Sequence, residues 1–138
     1  VGAKGNEGVA AQLGQVDGSL GYVEVAYVKD PLQAAALTNA SGEVVKPTAE
    51  TESQALASID LGPELTGSNP NPAKGYPIVT FTWILLYKEG NGDKLKPLQT
   101  AFEYTLSPEA QQQAPEIGYV TLPEEVVTKA KTALQTIQ

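Results

Sequence analysis

The segment "YPIVTFTWILLYK", residues 76–88, contains the longest apolar run in the chain, "WILLY" at residues 83–87. Before that run, polar Thr80 and Thr82 alternate with apolar neighbours. β-Branched and aromatic residues in a run of this length, bounded by turn residues, indicate a β-strand rather than a helix. We therefore expect residues 76–88 to form a buried central strand.

A second segment of the same kind is "SLGYVEVAYVK", residues 19–29. It is apolar on both faces apart from Glu24, which predicts a strand covered on both sides. Glu24 either pairs with a lysine across the sheet or faces a cleft, and the residues alone leave both readings open. The chain thus contains two segments that each require covering layers.

Helical patterns alternate with these two strands. In "KGNEGVAAQLGQV", residues 4–16, Asn6 suits the N-cap and Glu7 the first turn, with Gly18 expected to end the helix. The remaining expected elements are a hairpin of residues 37–39 and 44–46, a helix over 49–59 with a Thr51–Gln54 capping box, a loop over 61–75, a helix over 95–106, a short helix with Ser107 and Pro108 at its start, and a last helix beginning at Pro123. Strands alternating with helices indicate an α/β fold.

Composition restricts the chemistry that the chain can perform. The 138 residues include nine lysines but no Arg, His, Cys or Met, and the net charge is -7. Ser–His and Cys–His nucleophile pairs, zinc fingers and thiol redox chemistry are therefore excluded, and we expect no enzyme, metal or cofactor. An acidic chain with scattered lysines also argues against a nucleic-acid partner. Because the sequence has no Met, we expect that Val1 is not the first translated residue.

Four residues are candidates for contact with an anion. The first turn of the first helix, at Asn6 and Glu7, would offer backbone N–H groups and a partial positive charge. Thr80 and Thr82 would offer hydroxyl groups from one side of a strand. Thr is also a routine strand residue, and a helix start of this kind is common, so the residues leave a purely structural role open.

Three segments together resemble one known family. "GAKGNEGVAAQLGQVDGSLGYVEVAYV", residues 2–28, is similar to the helix and strand that follow "KGN-[DE]-G" in the periplasmic phosphate-binding proteins of bacterial ABC phosphate uptake systems. "YPIVTFTWILLYK" resembles a strand of those proteins, and "IGYVTLPEEVVTKAKTAL", residues 117–134, resembles their closing helix. The order and spacing of the segments agree, so the resemblance covers nearly the whole chain.

The resemblance implies that the chain is the C-terminal half of a two-lobed protein with the type II periplasmic-binding-protein architecture. Residues 1–82 would then belong to the second lobe, and residues 83–138 would complete the first. Thr80, Phe81, Thr82 and Trp83 would form the hinge at the last crossing between lobes. The implied function is the capture of inorganic phosphate in the periplasm or at the cell surface, after export, and its delivery to a membrane permease.

In the resembled family, phosphate is held by residues upstream of the "KGN-[DE]-G" helix, including an Arg and an Asp. The Asp accepts a hydrogen bond from the anion, which requires a proton on the anion and so admits phosphate and rejects sulfate. None of these ligands matches a residue of this chain, so we expect the chain alone to be incompetent in phosphate binding. The alternative is a structural or interaction module that assembles with a partner chain or with a second copy of itself.

Overall fold

The structure is a computed structural model that describes residues 2–138, and Val1 lies outside the described residues. The helices and strands within this range are α1 (Gly5–Leu13), β1 (Leu37–Thr38), β2 (Val44–Val45), α2 (Ala49–Leu56), α3 (Leu95–Thr105), α4 (Pro108–Gln113) and α5 (Glu124–Leu134), with short 3-10 turns at Val25–Tyr27, Gly92–Lys94 and Ala114–Ile117. The described chain is therefore a mixed structure of helices with one small sheet.

The hairpin of β1 and β2 confirms the prediction made from the sequence. The strands are antiparallel, with Leu37 opposite Val45 and Thr38 opposite Val44. The turn is organised by the buried side chain of Asn39, whose Oδ1 accepts hydrogen bonds from the backbone N–H groups of Ser41 and Glu43, each at 3.1 Å. An Asn side chain that bonds to backbone groups two to four residues later stabilises a turn locally.

The capping box at the start of α2 lies three residues earlier than predicted. Thr48 is the N-cap, and its hydroxyl accepts from the N–H of Thr51, while Thr51 Oγ1 accepts from the N–H of Thr48 at 3.0 Å. The prediction that paired Thr51 with Gln54 is therefore wrong. Thr can take the place of Glu or Gln in this motif because its hydroxyl oxygen is also a hydrogen-bond acceptor.

The other helices lie close to their predicted positions. α3, α4 and α5 begin and end within a few residues of the expected bounds, and the Ser107 side chain caps α4 by accepting from the N–H of Ala110. α1 ends earlier than predicted, at Leu13, with Gly14 rather than Gly18 as its C-cap. Local signals in the sequence therefore located the helices, although they did not identify every cap.

The buried core lies where three parts of the chain meet. Leu56 and Ile59 at the end of α2, Leu61 after them, and Phe81 form one buried cluster. Four half-buried residues pack against this cluster: Val79, Val120, Leu122 and Val126. Phe81 thus joins the region of α2 to the segment that leads into α5.

The two predicted central strands are not strands in the described structure. Residues 19–29 contain only the 3-10 turn Val25–Tyr27, and residues 76–88 contain no regular element. The side chains of Leu20 and Leu85 are 94% and 93% exposed, which contradicts the expected burial. The physical reason is that a strand needs a partner, and residues 77–86 make no backbone–backbone hydrogen bond with another described residue.

The part of the chain that follows α4 contacts two earlier segments, the turn at Val25–Tyr27 and the region around Lys88 and Asn91. Gly118 has a positive φ of 86° and lies so close to Ala26 that a Cβ on Gly118 would collide with the Ala26 side chain. At the other end, the N–H of Gln138 donates to the carbonyl of Lys88 at 2.8 Å, and the side chain of Asn91 donates to the carbonyl of Gln138 at 2.8 Å. The segment that follows α4 therefore positions the N-terminal turn and the apolar run relative to the core.

Candidate functional site

The first turn of α1 is arranged differently from the prediction. Lys4 is the N-cap, and it makes no capping hydrogen bond with its side chain, so the prediction that Asn6 caps the helix is wrong. Asn6 lies inside the helix, where its Oδ1 accepts a hydrogen bond from the backbone N–H of Glu24 at 3.1 Å. Asn6 therefore joins α1 to the turn at Val25–Tyr27.

Glu7 makes a second contact between α1 and the same turn. The hydroxyl of Tyr27 donates to Glu7 Oε1 at 3.2 Å. The negative charge of Glu7 is the main reason that the pKa of Tyr27 is raised above its usual value, and this hydrogen bond raises it further. Together with Asn6, this contact fixes the turn against α1.

The Glu7 carboxylate also faces the start of the helix. Its second oxygen would lie 3.1 Å from a Cβ placed on Gly5, the first residue of α1. A negative charge in the first turn interacts favourably with the N-terminal end of the helix dipole. An external anion at this place would be repelled by the charge of Glu7. Asn6 and Glu7 already have structural partners in Glu24 and Tyr27. Their contact with an anion remains a prediction.

The hinge candidates alternate between the core and the solvent. Phe81 is buried, whereas Thr80 and Thr82 on either side of it are exposed. The two Thr hydroxyls are therefore accessible, and Thr80 Oγ1 donates only a long hydrogen bond, 3.4 Å, to the carbonyl of Phe81. Both Thr side chains are therefore open to solvent, and their contact with an anion remains a prediction.

Trp83 is held by two contacts that the sequence does not indicate. Its ring packs edge-on against Phe81, with ring centroids 6.2 Å apart and planes inclined by 77°. Its indole Nε1 donates a 2.7 Å hydrogen bond to the carbonyl of Leu65. A half-exposed Trp commonly finds a partner for its N–H group, but the sequence cannot say which carbonyl supplies it.

Glu24, the polar residue of the second apolar segment, is exposed and makes no ion pair with a described lysine. Its role lies in its backbone, whose N–H donates to Asn6. Of the two readings that the sequence leaves open for Glu24, pairing with a lysine across a sheet is not found, since this segment forms no sheet among the described residues.

A surface cavity of about 380 Å³ lies beside the C-terminal half of α1. Its lining includes Ala10, Gly14, Tyr27, Lys29 and Asp30. It does not include Asn6, Glu7, Thr80 or Thr82, so this cavity does not gather the four anion candidates. Among residues 2–138, no three His, Cys, Asp or Glu side chains are grouped as a metal site would require.

No protein-family model matches the chain. Individual relatives do: the chain is 35% identical over 143 residues to "Phosphate-binding protein PstS" of Pasteurella multocida, which covers 98% of this chain and 41% of the relative. A protein of the same name from Xylella fastidiosa is 35% identical over 132 residues, covering 92% of this chain and 36% of the relative. Another, from Methanocaldococcus jannaschii, is 31% identical over 160 residues, covering all of this chain and 40% of the relative.

The chain thus spans about two fifths of the length of the curated relatives it matches. The resemblance to phosphate-binding proteins that the sequence suggests is confirmed, and so is its partial extent. The name of these relatives describes a binding protein and not an enzyme, in agreement with the prediction made from composition. The described helices and hairpin are compatible with a fragment of such a protein.

Proposed function

We propose that this chain is the C-terminal part of a two-lobed protein that captures inorganic phosphate for uptake through an ABC transporter. The observation that carries the proposal is the similarity to phosphate-binding proteins over 92–100% of the chain. Because the chain spans only about two fifths of those relatives, phosphate binding belongs to the longer polypeptide. In this proposal the chain supplies structural elements and the hinge, and most phosphate ligands lie in the remainder of the polypeptide.

The exposed apolar segments support this proposal. Leu20, Tyr22, Ile84, Leu85 and Tyr87 are all largely exposed, although they belong to the most strand-like parts of the sequence. A contiguous run of exposed apolar residues with unpaired backbone groups is the expected surface of an interaction site. In this proposal, the rest of the polypeptide pairs with and covers both segments, which then become strands of the type II architecture.

The proposal divides the chain at the hinge, with residues 1–82 in one lobe and residues 83–138 in the other. Phe81 lies beside this division: it shares a cluster with Leu56 and Ile59, and Val120 and Val126 from beyond the division pack against that cluster. A hinge needs only a few residues that absorb a change in dihedral angles at such a junction. Thr80 to Trp83 are the residues that we assign to it.

The hinge assignment is tested by the fluorescence of Trp83 in the full-length protein. Phosphate should change the emission of Trp83, because its surroundings at the junction change when the lobes close. A Trp83→Phe variant reports the emission of any other tryptophan and serves as the control. Phosphate binding without a change in Trp83 emission would place the hinge elsewhere.

We infer that Thr80 and Thr82 are better placed than Asn6 and Glu7 to contact the anion. Their side chains are exposed, whereas Asn6 and Glu7 bond to Glu24 and Tyr27. Thr80→Val and Thr82→Val keep the side-chain shape and remove the hydroxyl, so each should weaken phosphate binding about tenfold if the hydroxyl donates to the anion. Thr132→Val, on the exposed side of α5, is the matched control.

The transporter permease is the membrane partner in this proposal, and the protein is exported to the periplasm or the cell surface. None of the helices in residues 2–138 has the length and hydrophobicity needed to cross a lipid bilayer.

The same exposed segments also fit the second candidate function, a separate interaction module covered by a partner chain or a second copy. The intact mass of the protein purified from its natural source separates the two. A polypeptide about two and a half times as long as this chain supports the binding protein, as does a tightly associated peptide that supplies the missing length. A lone species of 14.5 kDa supports the module.

The function itself is tested by titrating the full-length protein with phosphate in a calorimeter at neutral pH, with sulfate as the matched competing anion. We expect a dissociation constant at or below the micromolar range for phosphate and no measurable binding of sulfate. Equal affinity for the two anions would contradict the proposal.

A further inference from the structure

The loop Asp60–Gly67 closes on itself within a few residues. The N–H of Gly62 donates to the carbonyl of Thr66 at 3.0 Å, and the N–H of Leu65 donates to the carbonyl of Gly62 at 2.9 Å. Gly67 lies directly against the carbonyl of Asp60, where no side chain would fit. The loop is therefore a small folded unit with its own hydrogen bonds.

Leu65 is the unusual residue of this loop. Its φ is 57°, and it is the non-glycine residue with a positive φ in the part of the chain that the structure describes. A bulky side chain rarely adopts this left-handed conformation and keeps it only when the surroundings hold it there. The hydrogen bonds within the loop and the contacts made to it from outside are therefore the interactions that can hold Leu65 in this conformation.

Two side chains from distant parts of the chain donate hydrogen bonds to carbonyls of this region. Trp83 Nε1 donates to Leu65 at 2.7 Å, and Lys129 Nζ in α5 reaches the carbonyl of Leu61 at 3.5 Å. Lys129 is positioned by its ion pair with Glu125, one turn earlier, at 3.0 Å. Leu61 itself is buried in the core cluster with Phe81, so both donors bind carbonyls close to the same buried cluster.

We propose that Trp83 and Lys129 form a latch that holds the loop Asp60–Gly67 in a conformation it would otherwise leave. In the latched state Leu65 is left-handed, and when the latch opens Leu65 relaxes to an ordinary conformation. The inference rests on the proposed function in one respect: both donors belong to residues 83–138 and the loop to residues 1–82, so the latch joins the two proposed lobes beside their hinge. The latch then sets how readily the lobes separate.

The latch is tested by hydrogen exchange of the amides of Gly62 and Leu65 in the full-length protein without phosphate. Trp83→Phe keeps an aromatic ring and removes the donor, so exchange at both amides should rise roughly three- to tenfold, as loss of one hydrogen bond predicts. Leu65→Asn should act in the opposite direction, because Asn adopts the left-handed conformation more readily.

Lys129→Met removes the second donor, with Lys131→Met on the same helix as the matched control. We expect faster hydrogen exchange of the loop amides in Lys129→Met and unchanged exchange in Lys131→Met. Amides inside α5 report whether the whole protein has been destabilised. Unchanged loop exchange in both Trp83→Phe and Lys129→Met overturns the latch, and so does an equal rise in α5. Because no phosphate is present, this outcome is independent of whether the protein binds phosphate.

Discussion

The ring of Phe81 is buried in the core and meets the half-exposed ring of Trp83 edge-on, with centroids 6.2 Å apart. Between Phe81 and Trp83, only two residues later, the chain thus passes from the packed core to a largely solvent-exposed segment. Edge-to-face contacts between aromatic rings contribute about 0.5–1.5 kcal/mol beyond the burial of their area. This pair therefore fixes the point at which the apolar segment leaves the core.

Phe81→Ala is expected to destabilise the full-length protein by about 3–5 kcal/mol, because it removes a buried ring and leaves a cavity beside Leu56 and Leu61. The free energy of unfolding is measured by denaturant titration. Thr80→Ala, at the exposed neighbouring position, is the matched control and should cost less than about 1 kcal/mol. Equal losses in the two variants would show that Phe81 does not lie in the core.

The isolated 138-residue chain is expected to associate with itself and to bind an apolar fluorescent dye, because its apolar segments are exposed. Light scattering and dye fluorescence measure the two properties. Leu20→Lys and Leu85→Lys should reduce both, since the charge opposes burial of either segment. Val44→Lys is the control, an exposed apolar residue in the paired hairpin. A compact monomer without dye binding would count against this prediction.

Gly118→Ala is expected to destabilise the protein by about 2–4 kcal/mol, since the new methyl group collides with Ala26 and the positive φ disfavours any side chain. Adding Ala26→Gly should recover the part of the loss due to the collision, and the part due to φ should remain. Thermal unfolding of the two single variants and the double variant measures this coupling. Simple additivity of the two changes would mean that residues 26 and 118 do not touch.

Glu52 gives the structure a dependence on pH. Burial raises the pKa of this carboxyl above its usual value, and its charge contributes, after burial, to the raised pKa of Tyr76. The folded state therefore binds the proton more tightly than the unfolded state. The contribution of Glu52 to stability falls as pH rises from the usual Glu pKa through the raised one.

Glu52→Gln removes this titration. Relative to the natural protein, the variant should gain stability at pH 7 and gain less at pH 4, where Glu52 is largely protonated in both states. Unfolding by denaturant at the two pH values measures the difference. Glu50→Gln, exposed in the same first turn of α2, is the control. A gain that is the same at both pH values would contradict the assignment to Glu52.

Local signals in the sequence predicted the parts of the fold that depend on near neighbours. The Ser107 cap, the hairpin around Asn39 and the bounds of α3 and α5 follow from interactions within a few residues. The two apolar segments were predicted as strands and are not, because pairing in a sheet depends on partners far away in the chain or outside it. Their composition indicates how they would pack beneath other parts of a longer polypeptide, whereas in the described chain they are exposed to solvent.

The candidate site was predicted less completely for the same reason. Thr80 and Thr82 are exposed and Phe81 is buried, but the apolar run that follows them is exposed and not buried as predicted. The contacts of Trp83 with Leu65 and of Lys129 with Leu61 join residues 18 and 68 positions apart. The Glu125–Lys129 ion pair has the four-residue spacing of neighbours on a helix, but this spacing does not identify the carbonyl that Lys129 reaches.

The central claim is that this chain is one part of a phosphate-binding protein and needs the remainder to bind. The most direct test mixes the purified 138-residue chain with the separately produced remainder of the polypeptide and titrates the mixture with phosphate in a calorimeter. We predict micromolar or tighter binding for the mixture and no binding at micromolar phosphate for the chain alone. Micromolar binding by the chain alone, or a stable complex of the two parts that ignores phosphate, would contradict the claim.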